Sequence, residues 1–172
     1  MDILEIAMKM EIDGKQFYLN GAAEASNAEL KKIYQTLADE EDRHLQIFSK
    51  MKDSDLVSAS KLIGGPSGTV QMAKNIFQEL TDKGVTNLGD ESEKAVWTEA
   101  LRLEEQAVEM YTGHAKDEAD ADRKQLWERI ADEERNHVHL ISNIISFMVD
   151  PAGYAQSAQF SNFMSWEGHW ED

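Results

Sequence analysis

The chain has 172 residues, a length that suits one domain. Its 33 acidic and 17 basic residues leave a formal charge of −16, a field that repels phosphate backbones and argues against nucleic-acid binding. Cysteine is absent, which removes disulfides, thiolate zinc sites, iron–sulfur clusters and cysteine nucleophiles from consideration.

The first residues carry Asp2, Glu5 and Glu11 and no basic run ahead of an uninterrupted apolar stretch, so they do not read as a secretory signal. Residues 2–25 show helical periodicity, with Ile3, Ile6, Ala7, Met10, Phe17 and Ala22 on one broad stripe. Ser26-Asn27 offers a cap for a second helix that runs to about Lys52, carrying Leu30, Ile33, Leu37, Leu45 and Phe48. From Asp53 to Gly68 the composition turns to Ser, Gly and Pro, and the chain is expected to leave the helix. Ile63-Gly64-Gly65-Pro66-Ser67-Gly68 lacks the Lys-Ser/Thr and the preceding strand of a phosphate loop and reads as a linker. A short helix follows from about Thr69 to Asp82, stopped at Lys83-Gly84. Two long helices complete the pattern, from about Asp90 to Lys116 and from about Ala121 to Val149, the second ended by Pro151-Ala152-Gly153. The apolar stretch Val138–Val149 is interrupted by His139, Ser142, Asn143 and Ser146 and is too short and polar to span a bilayer. The expectation is a soluble cytoplasmic protein with no membrane partner. Its class is all-α: residues 1–150 form four long helices with a long crossover and one short helix between the second and third. Residues 151–172, with Phe160, Phe163, Met164, Trp166 and Trp170, form a tail expected to pack on the bundle or at the interface of a homodimer.

The sequence repeats itself. Shifted by 93 residues, 7–48 overlays 100–141 without gaps, and eleven of the 42 positions are identical, Glu11/Glu104, Tyr18/Tyr111, Glu41/Glu134 and His44/His137 among them. Each half is a helical hairpin carrying one Glu on its first helix and Glu-x-x-His on its second: Glu11 with Glu41 and His44, Glu104 with Glu134 and His137. Residues three apart lie about 60° apart around a helix, so each Glu/His pair projects to one side. The midpoint of Glu11 and Glu41 is Ser26, and that of Glu104 and Glu134 is Ala119, both inside the expected turns. Each ligand pair therefore sits level, roughly 22 Å from its turn at 1.5 Å per residue. Two hairpins packed face to face bring four Glu and two His together at mid-bundle.

Four carboxylates in an apolar bundle repel one another and lose hydration, and two divalent cations cancel that charge. Carboxylate oxygens with one imidazole per ion suit iron, with manganese behind it, better than zinc. The competing reading of each acid alone is a solvated helix face. Tyr18 and Tyr111, seven residues after Glu11 and Glu104, are candidates to hydrogen-bond metal-bound carboxylates or to supply an electron. Gly14 and Ala107, one turn past those ligands, are small enough to leave room beside the ions or to serve close helix packing. Asp39/Asp132 and Glu40/Glu133 also repeat, but as neighbours of the ligands they are expected to be solvated or salt-bridged, with steadying of an imidazole the minor alternative. His114, His139 and His169 are read as non-ligands.

These residues resemble a known family. Glu11, Glu41-x-x-His44, Glu104 and Glu134-x-x-His137 look like the di-iron site of the ferritin-like superfamily, whose four-helix bundles use this constellation. Ala7-Met8-Lys9-Met10-Glu11, Phe17-Tyr18 and Asp39-Glu40-Glu41-Asp42-Arg43-His44 resemble the rubrerythrins in particular. The resemblance implies a non-haem di-iron oxidoreductase that reduces hydrogen peroxide or reacts with dioxygen, with iron-binding or storage by Fe(II) oxidation as the alternative. Rubrerythrins also carry a four-cysteine rubredoxin-like domain, absent from these residues, which implies electrons from a separate donor protein. They further carry an extra Glu three positions after the third-helix ligand, which exchanges with a His as iron changes oxidation state. Ala107 stands there instead, and Glu105 and Glu109 lie at other helix angles.

Overall fold

The computed structural model describes residues 2–64 and 68–156. Among them are seven helices and no strand: α1 (Ile3–Glu24), α2 (Ala28–Lys52), α3 (Leu56–Leu62), α4 (Gly68–Asp82), α5 (Glu91–Asp117), α6 (Ala121–Val149) and α7 (Pro151–Gln156). Each long helix starts on an Asp or Asn whose side chain accepts from a first-turn amide. Asp2 does so for α1, in a capping box closed by Glu5, and Asn27, Asp90 and Asp120 do so for α2, α5 and α6.

The four long helices form an all-α, ferritin-like bundle in which two apolar clusters occupy opposite ends. One gathers Tyr18 and Ala22 of α1, Leu30 to Ala38 of α2, Trp97 and Ala100 of α5 and Leu140 to Phe147 of α6. The other gathers Leu4 and Ala7, Ile47 to Met51, Ala107 to Ala115 and Leu126 to Ala131 from the same helices in turn. α1 and α6 thus run one way and α2 and α5 the other. Joining the end of α2 to the start of α5 requires the chain to travel the length of the bundle, and α3 and α4 make that passage. Between the clusters lies a waist of buried polar side chains.

Three details depart from the sequence reading. The Ser-rich stretch after Asp53 holds the helix α3, whose start is capped by Asp55 accepting from the Ser58 amide at 3.1 Å and whose Ala59 is fully buried. Pro151 opens α7 instead of only ending α6, as a ring lacking an N–H is tolerated in a first turn. Tyr154 on α7 packs on Phe77 and Phe147, with ring centroids 5.7 and 5.6 Å away. On α1 the core face is centred on Leu4, Ala7, Glu11, Tyr18 and Ala22, leaving Ile6 37% exposed, because the polar Glu11 belongs to the buried face. The expectations for Phe160, Phe163, Met164, Trp166, His169 and Trp170 lie outside the described residues. No described helix is long and apolar enough to cross a membrane.

Gly21 shows how tightly the first hairpin closes. A Cβ placed there would lie 2.6 Å from the Tyr34 ring, which is itself stacked on Trp97 at a centroid distance of 4.0 Å. In the second hairpin His114 occupies the equivalent position, edge-on to Trp127 at 4.6 Å. Gly113, exposed in the interior of α5, has nothing within 4 Å of its Cβ position. Gly113→Ala is expected to stabilise by about 0.5–1 kcal/mol through helix propensity. Gly21→Ala is expected to lose about 1–2 kcal/mol net, as overpacking outweighs the same gain. Urea denaturation of the two variants checks this, and stabilisation by both would contradict the close approach.

Candidate metal centre

The polar waist is built from one residue of each first helix and two of each second helix. Glu11 (α1), Glu41 and His44 (α2), Glu104 (α5), and Glu134 and His137 (α6) are all at most 4% exposed. Their ligating atoms fall into two groups, each mutually within 4.8 Å: Glu11, Glu41, His44 and Glu134; and Glu41, Glu104, Glu134 and His137. Glu41 and Glu134 belong to both, so the two Glu-x-x-His glutamates lie between the groups while Glu11 and Glu104 sit at the ends. His44 Nδ1 is 2.9 Å from Glu134 Oε1, and His137 Nδ1 is 2.9 Å from Glu134 Oε2. His44 Nδ1 lies 3.7 Å from both Glu11 Oε2 and Glu41 Oε2; His137 Nδ1 lies 3.5 Å from both Glu41 Oε1 and Glu104 Oε1. The midpoint argument from the sequence brought together these same six residues.

The chemistry of this donor set fits a pair of cations. Glu41 Oε1, both oxygens of Glu134, and Nδ1 of His44 and His137 are buried, and none makes a hydrogen bond of acceptable geometry. Close approach without hydrogen bonding, for five polar atoms aimed at one another, is costly in a protein interior. Coordinating ions satisfy all five.

The surrounding side chains hold the six in place across the interface between hairpins. Tyr18 on α1 donates to Glu104 Oε1 on α5, and Tyr111 on α5 donates to Glu11 Oε1 on α1. Both tyrosines therefore contact carboxylates of the cluster, each serving the opposite hairpin. Behind the imidazoles, Glu133 Oε2 accepts from His44 Nε2 at 2.8 Å and Glu40 Oε2 from His137 Nε2 at 2.6 Å. A proton fixed on Nε2 leaves Nδ1 free to ligate.

The solvated role expected for Glu40 and Glu133 is thus corrected: both are buried and steady the imidazoles, which was the minor alternative, while the salt-bridged expectation holds for Glu133, paired with Arg43 at 2.8 Å. A step of one residue does turn the side chain about 100° from the ligand face. In a four-helix bundle, however, that direction faces the neighbouring helix, not water. Their recurrence in the repeat was the available signal. Asp39, in contrast, is exposed, and Asp132 pairs with Arg135. His114 and the exposed His139 stand apart from both groups, as do the exposed Glu105 and Glu109. A Cβ at Gly14 would touch the Glu41 carboxylate at 3.7 Å, an ordinary contact, and Ala107 is buried beside Tyr111 in the second apolar cluster.

Protons balance the cluster in the metal-free protein. Burial, followed by repulsion from Glu41 and Glu134, pushes Glu104 up to about 8 and Glu11 well above the carboxylate range. Burial and the charge on Glu134 push Glu41 the same way, but the proton held on Glu11 and the nearness of His137 and His44 overcome them and hold Glu41 at about 2. Glu134 is held low against burial by the two histidines. Burial favours neutral imidazoles, yet the carboxylates around them raise His44 and His137 well above their usual value.

A group raised by folding contributes stability that is complete below its unfolded pKa and is lost as pH rises through its folded one. Stability of the metal-free protein is therefore expected to peak near pH 5 and to fall by about 2–4 kcal/mol towards pH 9, as pH rises through the raised value of Glu104. Below pH 4.5 it falls again as Glu41 is protonated. Glu104→Gln should flatten the alkaline limb. Denaturant titrations across pH test this; an alkaline limb equally steep in the variant would contradict the assignment.

Comparison with known proteins bears on the same residues. The rubrerythrin family model matches residues 2–145, which cover α1, α2, α5, most of α6 and the six clustered side chains. No curated protein and no solved structure matches the chain significantly. With a match over most of its length, the chain belongs to the rubrerythrin family of ferritin-like di-iron proteins.

Proposed function

We propose that the chain is a di-iron oxidoreductase that reduces hydrogen peroxide, or reacts with dioxygen, with electrons delivered by a separate donor protein. The observation that supports this most strongly is the convergence of unpaired donor atoms from Glu41, Glu134, His44 and His137 in the middle of an apolar bundle. Glu11, Glu41, His44 and Glu134 would hold one ion, and Glu41, Glu104, Glu134 and His137 the other. Oxygen donors with a single imidazole per ion favour iron, then manganese. Two bound irons supply a pair of one-electron couples, matching the two electrons and two protons that convert hydrogen peroxide to two waters.

The remaining tasks fall to the chain. Apolar clusters on either side of the waist keep bulk water from the ligands. Glu40 and Glu133 hold the Nε2 protons and so fix the tautomer that presents Nδ1. Tyr18 and Tyr111 hold phenolic protons against Glu104 and Glu11, and burial raises both phenols well above their usual value, so each remains a hydrogen-bond donor at neutral pH. Those two O–H groups orient the outer carboxylates by direct hydrogen bonds.

A second reading is an iron-binding or storage protein that oxidises Fe(II) without steady turnover. The net charge of −16, which draws cations, favours it, as does Ala107 in place of the additional glutamate of rubrerythrins. Anaerobic Fe(II) titration of metal-free protein, followed by peroxide with a chemical electron donor, separates the two. The oxidoreductase reading expects about two irons per chain and peroxide consumed well beyond one equivalent per site. A single burst with further iron retained would favour storage. Glu41→Ala is expected to abolish binding of both ions, as Glu41 belongs to both groups, whereas Glu11→Ala should retain about one. Unchanged iron content in Glu41→Ala would sink both readings.

A further inference from the structure

The two halves of the centre are related by the repeat, yet the supports behind their histidines differ. Arg43, one residue before His44, corresponds to Asn136, one residue before His137. Arg43 Nη2 lies 2.8 Å from Glu133 Oε2, the same oxygen that accepts from His44 Nε2 at 2.8 Å. Glu133 therefore divides one oxygen between a guanidinium and an imidazole. On the other side Glu40 Oε2 serves His137 Nε2 at 2.6 Å, and only its other oxygen approaches Arg43, at 3.7 Å. A carboxylate oxygen already engaged by a cation pulls less on an imidazole proton, and a weaker pull leaves Nδ1 less basic towards a metal. Arg43 is itself anchored: its Nη1 donates to the Leu62 carbonyl at 3.2 Å, which ties it to the crossover at the end of α3. Asn136 carries no charge with which to restore the balance.

We infer that Arg43 makes the two metal positions unequal, so that the position of His137 binds a divalent cation more tightly than the position of His44. Arg43 is a positioning residue: it acts through Glu133 and touches no ligand atom. The inference rests on the metal-binding reading above and sharpens it to an order of filling. Two ions sharing Glu41 and Glu134 repel one another, so two binding steps arise even from equal positions. The test therefore isolates each position.

Metal-free His44→Ala retains the His137 position, and metal-free His137→Ala retains the His44 position. Each is titrated with Mn(II), with free ion read from its solution electron paramagnetic resonance signal. The expected result is tighter binding to His44→Ala than to His137→Ala, by roughly 10-fold, within the range of second-sphere effects on metal affinity. Adding Arg43→Gln should tighten His137→Ala by roughly 3- to 10-fold and leave His44→Ala within about 2-fold. Equal affinities of the two histidine variants, or tighter binding to His137→Ala, would overturn the inference. So would weakening of both by Arg43→Gln, which marks Arg43 as a structural brace alone. If Arg43→Gln fails to fold, as judged by circular dichroism, Asn136→Lys in the His44→Ala background carries the test. It places a cation on the other half and is expected to weaken binding; unchanged affinity there contradicts the inference. Absence of Mn(II) and Fe(II) binding in the unmodified chain would instead remove the metal reading itself.

Discussion

Four carboxylates at the waist of an apolar bundle are the constraint on which the rest of this molecule depends. Leaving one ionised group uncompensated in a protein interior costs several kcal/mol, and Glu11 and Glu104 each lie within reach of the central pair, Glu41 and Glu134. The structure answers by dividing the apolar core into two ends and surrounding the waist with donors. Tyr18 and Tyr111 satisfy the outer carboxylates, and the two histidines face the inner pair. What protons and phenols leave unsatisfied is a small set of inward-facing atoms whose chemistry suits cations.

Duplication makes this economical and also mutual. Every support crosses from one hairpin to the other: α1 holds Glu104 and α5 holds Glu11, while α2 steadies His137 and α6 steadies His44. A single hairpin therefore carries candidate ligands but lacks their partners, and the cluster is a property of the docked pair. The passage of α3 and α4 along the bundle places the second hairpin so that equivalent residues meet at one level. It also departs from symmetry, since the crossover at Leu62 fixes an arginine that takes the same oxygen as His44 on one side and reaches only the other oxygen of Glu40 on the opposite side.

Much of this was legible in the sequence, for identifiable reasons. The 93-residue offset exposes the six polar residues, and their equal distance from two turns sets their level without any knowledge of packing. The start of α2 follows from Asn27, because capping is a local interaction. Less visible was anything decided by a neighbouring helix. Periodicity on α1 favours apolar residues and so misplaces the buried face, which includes Glu11 and Tyr18. Helical angle alone sends Glu40 and Glu133 to solvent, whereas an adjacent helix receives them. The helix α3 is short and Ser-rich, and its stability comes from packing Ala59 against the bundle, which no local pattern announces.

The central claim is that the buried carboxylates are arranged to hold two metal ions. Anomalous diffraction at the iron absorption edge, from crystals grown after anaerobic loading, tests it directly. Two peaks per chain are expected, both bordered by Glu41 and Glu134, one closed by Glu11 and His44 and the other by Glu104 and His137. Peaks confined to surface acids, with the waist free of anomalous density at full loading, would contradict the account.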